Sequence, residues 1–133
     1  MKDKRFVDSN IWLYLLSDDA HKKVKAMELL EEGGTISTQT LTENANVCLR
    51  KFKLANSTVR KHLLMLVKYC KVVQINSNSV FEALYIAERY QYSFYDSLVI
   101  ATALSNGCEV LFSEDLQHEQ VIERKLKIIN PFL

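Results

Sequence analysis

The chain has 133 residues, of which 48% are hydrophobic and 25% are charged, and its formal net charge is +1. This balance is typical of a soluble globular domain, so we expect one domain over residues 1–133 and no general affinity for polyanions. No apolar run approaches the roughly 20 residues that cross a bilayer, and no signal-peptide pattern follows the N-terminus, so a cytoplasmic protein is expected.

The three cysteines are odd in number and widely spaced along the chain, at Cys48, Cys70 and Cys108. This spacing matches neither a disulfide framework nor a zinc-binding pattern. Each cysteine lies among apolar neighbours, so we expect three buried thiols in a reducing compartment.

The first part of the chain predicts a strand, a short helix and a longer helix. Residues 4–8 form an apolar strand that ends at Asp8, and one or two helical turns follow in "NIWLYLL". A helix over 19–32 is capped by Ser17 or Asp18 and ended by the glycines at 33–34. Its apolar stripe is expected to face the core and comprises Ala20, Val24, Met27 and Leu30.

The rest of the chain continues this alternation. Strands are predicted at 35–38, 71–75, 109–113 and 127–130. Helices are predicted at 40–53, from a cap in "NS" (56–57) to residue 69, at 77–91 and at 94–105. Strands that alternate with helices indicate an α/β domain built on a small, mainly parallel sheet.

Four acidic residues fall close to the carboxyl ends of predicted strands. Asp8 ends the first strand, and Asp115 follows the strand at 109–113. Glu43 and Asp96 lie in the first turns of the helices at 40–53 and 94–105. In a parallel sheet, ligands bind at the edge where the strands end, so we expect these acids to gather there.

Each acid taken alone also fits a structural role. Thr40 with Glu43, and Ser93 with Asp96, match the capping-box pattern. Asp8 could cap the turn after it, and Asp115 could cap a helix in "LQHEQVIERK". Together the acids are harder to explain, because two carboxylates about 4 Å apart repel by about 4 kcal/mol at an effective dielectric of 20. Raised pKa values or a bound cation sustain such a cluster, and an all-oxygen cluster suits Mg²⁺ or Mn²⁺.

Four segments of the chain resemble, in order and spacing, the PIN-domain ribonucleases, and in particular the VapC-type toxins of toxin–antitoxin pairs. They are "FVDSNIWLY", "TQTLTENANV", "FYDSLVIATAL" and "LFSEDLQH". The resemblance implies a PIN-like three-layer α/β/α sandwich and an endoribonuclease that uses Mg²⁺ or Mn²⁺ to cleave RNA. It also implies a cognate antitoxin protein as partner.

The same resemblance implies roles for the acids. Asp8 and Asp96 would bind the principal metal ion directly, while Glu43 and Asp115 would bind it through water or shape a second site. The supporting residues would be Ser9, Asn10, Ser113 and Glu114. The segment "SED" leaves open whether Asp115 or Glu114 is the fourth acid.

Other residues have weaker signals. Arg50, Lys51 and Lys53 lie on the helix of Glu43 and are candidates for holding the RNA backbone. His118 follows Asp115 closely but is expected as an exposed helix histidine, and His62 is given no role. Surplus apolar residues of the early helices are expected to meet an antitoxin peptide or a second subunit of a homodimer, and they are Trp12, Leu13, Leu16 and Leu29.

Three alternatives are weighed against a nuclease. A phosphoacceptor receiver domain would need an aspartate after the strand at 71–75, where Asn76 stands. A haloacid-dehalogenase-type phosphatase would need an aspartate in place of Asn10. A non-catalytic PIN scaffold that binds RNA or protein is the remaining alternative, and the presence of all four acids argues against it.

Overall fold

The computed structural model describes residues 4–133, which form six α-helices and six β-strands. The helices are α1 (Ser9–Leu13), α2 (Ala20–Glu32), α3 (Thr38–Arg50), α4 (Asn56–Tyr69), α5 (Ser77–Tyr90) and α6 (Phe94–Ser105). The strands are β1 (Arg5–Val7), β2 (Thr35–Ser37), β3 (Lys71–Val73), β4 (Val110–Phe112), β5 (Val121–Ile122) and β6 (Leu126–Ile129). A 3-10 turn at Tyr14–Leu16 extends α1.

The strands form one sheet in the order β3-β2-β1-β4-β6-β5. All neighbouring pairs are parallel except β5 with β6, which confirms the predicted, mainly parallel sheet. β1 lies between β2 and β4, so the residues that follow these three strands emerge side by side at one edge. This edge carries the candidate site.

Helices cover both faces of the sheet. Successive strand residues point to opposite faces, and Phe6 and Val7 accordingly belong to two separate buried clusters. The cluster with Phe6 contains residues of α5 and α6, and the cluster with Val7 contains residues of α1, α2 and α4. The predicted three-layer α/β/α sandwich is therefore confirmed.

The sixth helix is apolar around its whole circumference, and its residues 97–103 are all buried. Burial on every side is what such a sequence predicts. Despite this, none of the helices within residues 4–133 has both the length and the hydropathy that a membrane span requires. The three cysteines are buried, and within the same residues they form no disulfide.

The inner face of α2 is not the predicted one. Of the four residues expected to face the core only Leu30 is buried, while the exposed ones are Ala20, Val24 and Met27. The buried stripe consists of Ala26, Leu29 and Leu30. The prediction is wrong because the apolar residues of α2 are divided between the core and the surface, where Met27 lines a groove together with Met65 of α4.

The predicted surplus of apolar side chains on the early helices is wrong for two of its members. Trp12 and Leu29 are only 0% and 3% exposed, because both pack in the core cluster beneath the sheet. Leu13 is half-buried, and Leu16 is exposed. A partner surface therefore cannot include Trp12 or Leu29.

Two predicted helix caps are displaced by one residue. The N-cap of α2 is Asp19, whose carboxylate accepts the Lys22 N–H at 3.2 Å, rather than Ser17 or Asp18. The N-cap residue of α4 is Ala55, and no side-chain hydrogen bond caps that helix.

The segment after Asp115 forms a short hairpin in place of a helix. β5 and β6 are joined by a turn in which Glu123 and Arg124 both have positive φ, at 51° and 59°, and the Lys125 N–H donates to the Ile122 carbonyl. Two consecutive left-handed residues define the hairpin turn that usually carries Asn or Gly. His118 is consequently not a helix residue, and its Nδ1 accepts the Asn130 N–H at 2.9 Å.

Candidate active site

Four carboxylates line one cavity of about 310 Å³ at the edge where β1 and β4 end. We call it the acid cavity, and its acidic residues are Asp8, Glu43, Asp96 and Asp115. The rest of its lining is mostly polar or small and consists of Ser9, Asn10, Leu13, Asn46, Val47 and Val99. The four acids that the sequence singles out therefore meet in space.

The sheet and two helices bring these acids together. Asp8 follows β1 and Asp115 follows the neighbouring β4, and the Asp8 N–H donates to the Phe112 carbonyl at 2.9 Å. Asp96 lies in the first turn of α6, which covers the face of the sheet opposite to α1. The N-cap of α6 is Ser93, whose side chain accepts the Asp96 N–H at 3.2 Å. Three chain segments far apart in sequence thus converge on one point.

Glu43 reaches the cavity from the second turn of α3, not from the first. The helix begins at Thr38 because Ser37, the last residue of β2, is its N-cap. Ser37 and Thr40 form the capping box, with Thr40 as its N3 residue. The predicted capping box between Thr40 and Glu43 is therefore wrong, and the carboxylate of Glu43 is not used to cap the helix.

Asp8 combines the two roles that the sequence leaves open. It is the N-cap of α1, and its Oδ1 accepts the Ser9 N–H at 2.8 Å while its Oδ2 accepts the Ser113 hydroxyl at 2.9 Å. Burial raises the pKa of Asp8 from 3.8 to about 7, against the opposing effect of these two hydrogen bonds. The charges of Glu43 and Asp96 raise the pKa further.

Ser9 and Asn10 hold two of the other three carboxylates, those of Glu43 and Asp115. The Ser9 hydroxyl donates to Glu43 Oε1, and the Asn10 amide donates to Asp115 Oδ2, both at 2.8 Å. The Ser113 hydroxyl accepts the Asp115 N–H at 3.3 Å. Asn10 Oδ1 is buried and finds no hydrogen-bond partner within residues 4–133. Ser9 thus links Asp8 to Glu43, and Ser113 links Asp8 to Asp115.

Glu114 points away from the acid cavity. Its carboxylate accepts hydrogen bonds from the Tyr14 hydroxyl and the Lys22 ammonium. Burial opposes ionisation of Glu114, but these two donors outweigh it and lower the pKa of the carboxyl below its ordinary value. Asp115, and not Glu114, lines the cavity.

A buried polar network that sequence reasoning misses lies behind Ser9. The Asn44 amide donates to the Ser9 carbonyl at 3.2 Å and to the Thr40 carbonyl at 3.1 Å, and Asn44 Oδ1 lies 2.9 Å from His62 Nε2. Burial lowers the pKa of His62, so the neutral ring donates from Nε2. His62 lies three residues after Val59 and four before Leu66, both buried, and this spacing is the signal that could have placed it inside.

The donor set of the acid cavity suits a divalent cation. Carboxylate and amide oxygens are the ligands preferred by Mg²⁺ and Mn²⁺, and among residues 4–133 no lysine or arginine lines the cavity to neutralise the acids. Within residues 4–133, however, no three His, Cys, Asp or Glu side chains are arranged ready to hold a metal ion. Glu43 and Asp115 each use one carboxylate oxygen as a hydrogen-bond acceptor, for the Ser9 hydroxyl and the Asn10 amide respectively.

Comparison with known proteins identifies the family. The family model of the PIN domain matches residues 5–123, so the chain belongs to the PIN domain family. A comparison with curated protein sequences finds no significant relative.

Three solved structures share the fold at low sequence identity. VapC20 of Mycobacterium tuberculosis, a Sarcin-Ricin loop cleaving toxin, is 17% identical, with a TM-score of 0.68 and coverage of 84% of this chain and 89% of its own. A toxin–antitoxin complex from Klebsiella pneumoniae is also 17% identical, with a TM-score of 0.71 and coverage of 96% and 97%. VapBC2 of Rickettsia felis bound to a promoter DNA fragment is 15% identical, with a TM-score of 0.64 and coverage of 93% and 97%.

Proposed function

We propose that this PIN-domain protein is an endoribonuclease that depends on Mg²⁺ or Mn²⁺. The observation that carries the proposal is the convergence of Asp8, Glu43, Asp96 and Asp115 on one cavity. Burial and the neighbouring charges of Glu43 and Asp96 make ionised Asp8 unfavourable, which is the condition that a bound cation would relieve.

Each acid has a defined task in this proposal. Asp8 and Asp96 bind the cation directly, and Glu43 and Asp115 hold it through water or shape a second position. Ser9, Asn10 and Ser113 orient three of these carboxylates through the hydrogen bonds described above. When bound, such an ion would activate water for in-line attack on the phosphodiester and offset the charge of the transferring phosphate.

Glu114 has no ligand role in the proposal. Glu114 instead accepts hydrogen bonds from Lys22, which lies on α2, and from Tyr14, which lies in the 3-10 turn. These bonds fix the chain next to Asp115. These contacts support Asp115 as the fourth acid in the proposal.

We further propose that the protein is the toxin of a toxin–antitoxin pair. Structures with the same fold include the Klebsiella pneumoniae toxin–antitoxin complex, the VapBC2 complex and VapC20, a Sarcin-Ricin loop cleaving toxin. An antitoxin protein would then be the partner. Two experiments test this proposal. The protein should co-purify with the product of an adjacent reading frame, and co-expression of that product should relieve the growth inhibition that the protein causes alone. That the protein forms a homodimer stays a prediction, which a molar mass from analytical ultracentrifugation tests.

The nuclease activity is tested by incubating the purified protein with a structured RNA in Mg²⁺, in Mn²⁺ and in EDTA. We expect cleavage only with either metal ion, and none by Asp96→Asn under any condition. Cleavage that persists in EDTA would refute the metal-dependent mechanism. An RNA that binds but stays intact in both metal ions would favour the non-catalytic scaffold.

A further inference from the structure

A second cavity of about 210 Å³ adjoins the acid cavity. The two share Asn10, Leu13 and Val47 as a common wall. The lining that belongs to the second cavity alone consists of Tyr14, Ser17, Lys51 and Phe52. We call it the flanking cavity.

Lys51 is the one charged residue in the lining of the flanking cavity. No carboxylate within residues 4–133 forms an ion pair with its ammonium group. Arg50 and Lys53, its two basic neighbours, line neither cavity. Of the three basic residues in the segment "RKFK", Lys51 alone therefore lines the flanking cavity.

The end of α3 fixes Lys51 and Phe52 at this wall. The N–H groups of both residues donate to the Val47 carbonyl, at 2.9 and 3.1 Å, and Val47 itself belongs to both cavities. Lys53 then adopts a positive φ of 54°, and the Leu54 N–H donates to the Cys48 carbonyl at 3.0 Å. The chain turns back immediately after the two side chains, which ties them to the helix end.

We propose that the flanking cavity is a ribonucleotide subsite, in which Lys51 contacts the phosphate next to the scissile one and Phe52 stacks on a base. This inference rests on the proposed nuclease function. Proteins that bind single-stranded nucleic acid combine cationic and aromatic side chains, and the flanking cavity is lined by Lys51 and by the aromatic residues Tyr14 and Phe52, of which Phe52 is 39% exposed. The acid cavity repels a polyanion, so a flanking cation is needed to hold the RNA backbone.

The test compares three single charge removals with one another. Lys51→Met, Arg50→Met and Lys53→Met each remove one positive charge from the same helix end, and only Lys51 lines the cavity. For each variant, kcat and KM are measured with a single-stranded RNA oligonucleotide in Mg²⁺, and the Kd for the same RNA is measured in EDTA at several salt concentrations.

We expect Lys51→Met to raise KM and Kd about tenfold, the change that follows when one charge-assisted hydrogen bond is lost. The slope of log Kd against log salt concentration should be smaller by about 0.7 in this variant, the value for one phosphate contact on a single strand. The kcat should stay within about twofold, since Lys51 lies outside the acid cavity. Arg50→Met and Lys53→Met should change KM and Kd by less than about twofold. Phe52→Leu, which keeps an apolar side chain without a ring, should raise Kd roughly fivefold.

Equal effects of all three charge removals would overturn the subsite, because they would indicate diffuse attraction of RNA. An unchanged Kd for RNA in Lys51→Met would also overturn it. If the wild-type protein cleaves no RNA, the proposed nuclease function fails, whereas the Kd values in EDTA still decide whether the cavity binds RNA.

Discussion

Replacement of Asp8 by asparagine should stabilise the protein in the absence of metal, and the gain should grow as the pH rises from about 4 to about 7. The pKa of Asp8 is about 7 in the folded protein and 3.8 for a solvent-exposed aspartate, the value expected on unfolding. Because the folded-state value is the higher one, wild-type stability is unaffected by this group below about pH 3.8. Stability is lost as the pH rises through the range between the two values, and the loss is complete above about pH 7.

The magnitude follows from the two pKa values. One pH unit of difference corresponds to about 1.4 kcal/mol, so the full loss is about 4 kcal/mol. An asparagine can still accept the Ser9 N–H and can donate to Ser113 Oγ, and one altered hydrogen bond costs about 1 kcal/mol. Asp8→Asn should therefore be about 3 kcal/mol more stable than wild type near pH 8 and within about 1 kcal/mol of it near pH 4.

Urea unfolding in EDTA, followed at both pH values, measures this difference. Asp115→Asn is the matched control, because Asp115 is exposed and its removal should leave the free energy of unfolding unchanged. A stability difference between wild type and Asp8→Asn that does not grow with pH would refute the account of Asp8 as a buried, disfavoured charge. A less stable Asp8→Asn at pH 8 would show that Asp8 acts mainly as the cap of α1.

Three further predictions concern the residues around Asp8. Asp115→Asn should lower the RNA cleavage rate severely while Glu114→Gln keeps most of it, in single-turnover assays at saturating Mg²⁺; equal losses would contradict the assignment of the fourth acid. His62→Leu should destabilise the protein by about 2 kcal/mol, because it leaves buried Asn44 Oδ1 without its donor, whereas His62→Gln should recover much of this in the same urea unfolding. Asp96→Asn should raise the melting temperature in EDTA, since the Asp96 charge disfavours ionised Asp8; a lower melting temperature would instead mark Asp96 as a helix-capping acid.

Much of the fold follows from local sequence pattern. Apolar runs separated by helix-forming segments predict five of the six strands, the parallel sheet and the layered architecture, because burial on both faces needs near-continuous apolar strands. The hairpin of β5 and β6 escapes prediction, since its turn residues Glu123 and Arg124 have positive φ without being Gly or Asn. Side-chain identity gives no signal for such a turn.

The acid cavity is predictable only in part. The sheet order places Asp8 and Asp115 at one edge, as parallel strands require, but Asp96 arrives from the opposite layer through the path of α6. The separation of Asp115 from Glu114 depends on Tyr14 and Lys22, which are about a hundred residues away in sequence. Long-range partners of this kind leave no periodic pattern in the chain.

The burial of polar residues is a second feature of the structure that the sequence pattern does not predict. His62 stands in a polar stretch of α4 and reads as solvent-exposed, yet it is 3% exposed because Asn44 supplies its hydrogen-bond partner. In α2, a groove against α4 holds Met27, so an apolar stripe by itself cannot distinguish a core from a surface groove. Both differences arise from contacts between helices rather than from the helices themselves.

The most direct test of the cation site is calorimetric titration of Mg²⁺ into the protein without RNA. The account predicts that wild type and Glu114→Gln bind the ion with similar affinity, whereas Asp8→Asn and Asp96→Asn bind it at least about tenfold more weakly, the loss of one charged ligand contact. Mg²⁺ binding of unchanged affinity in Asp8→Asn, or no binding by the wild-type protein, would contradict the claim that the acid cavity is a metal site.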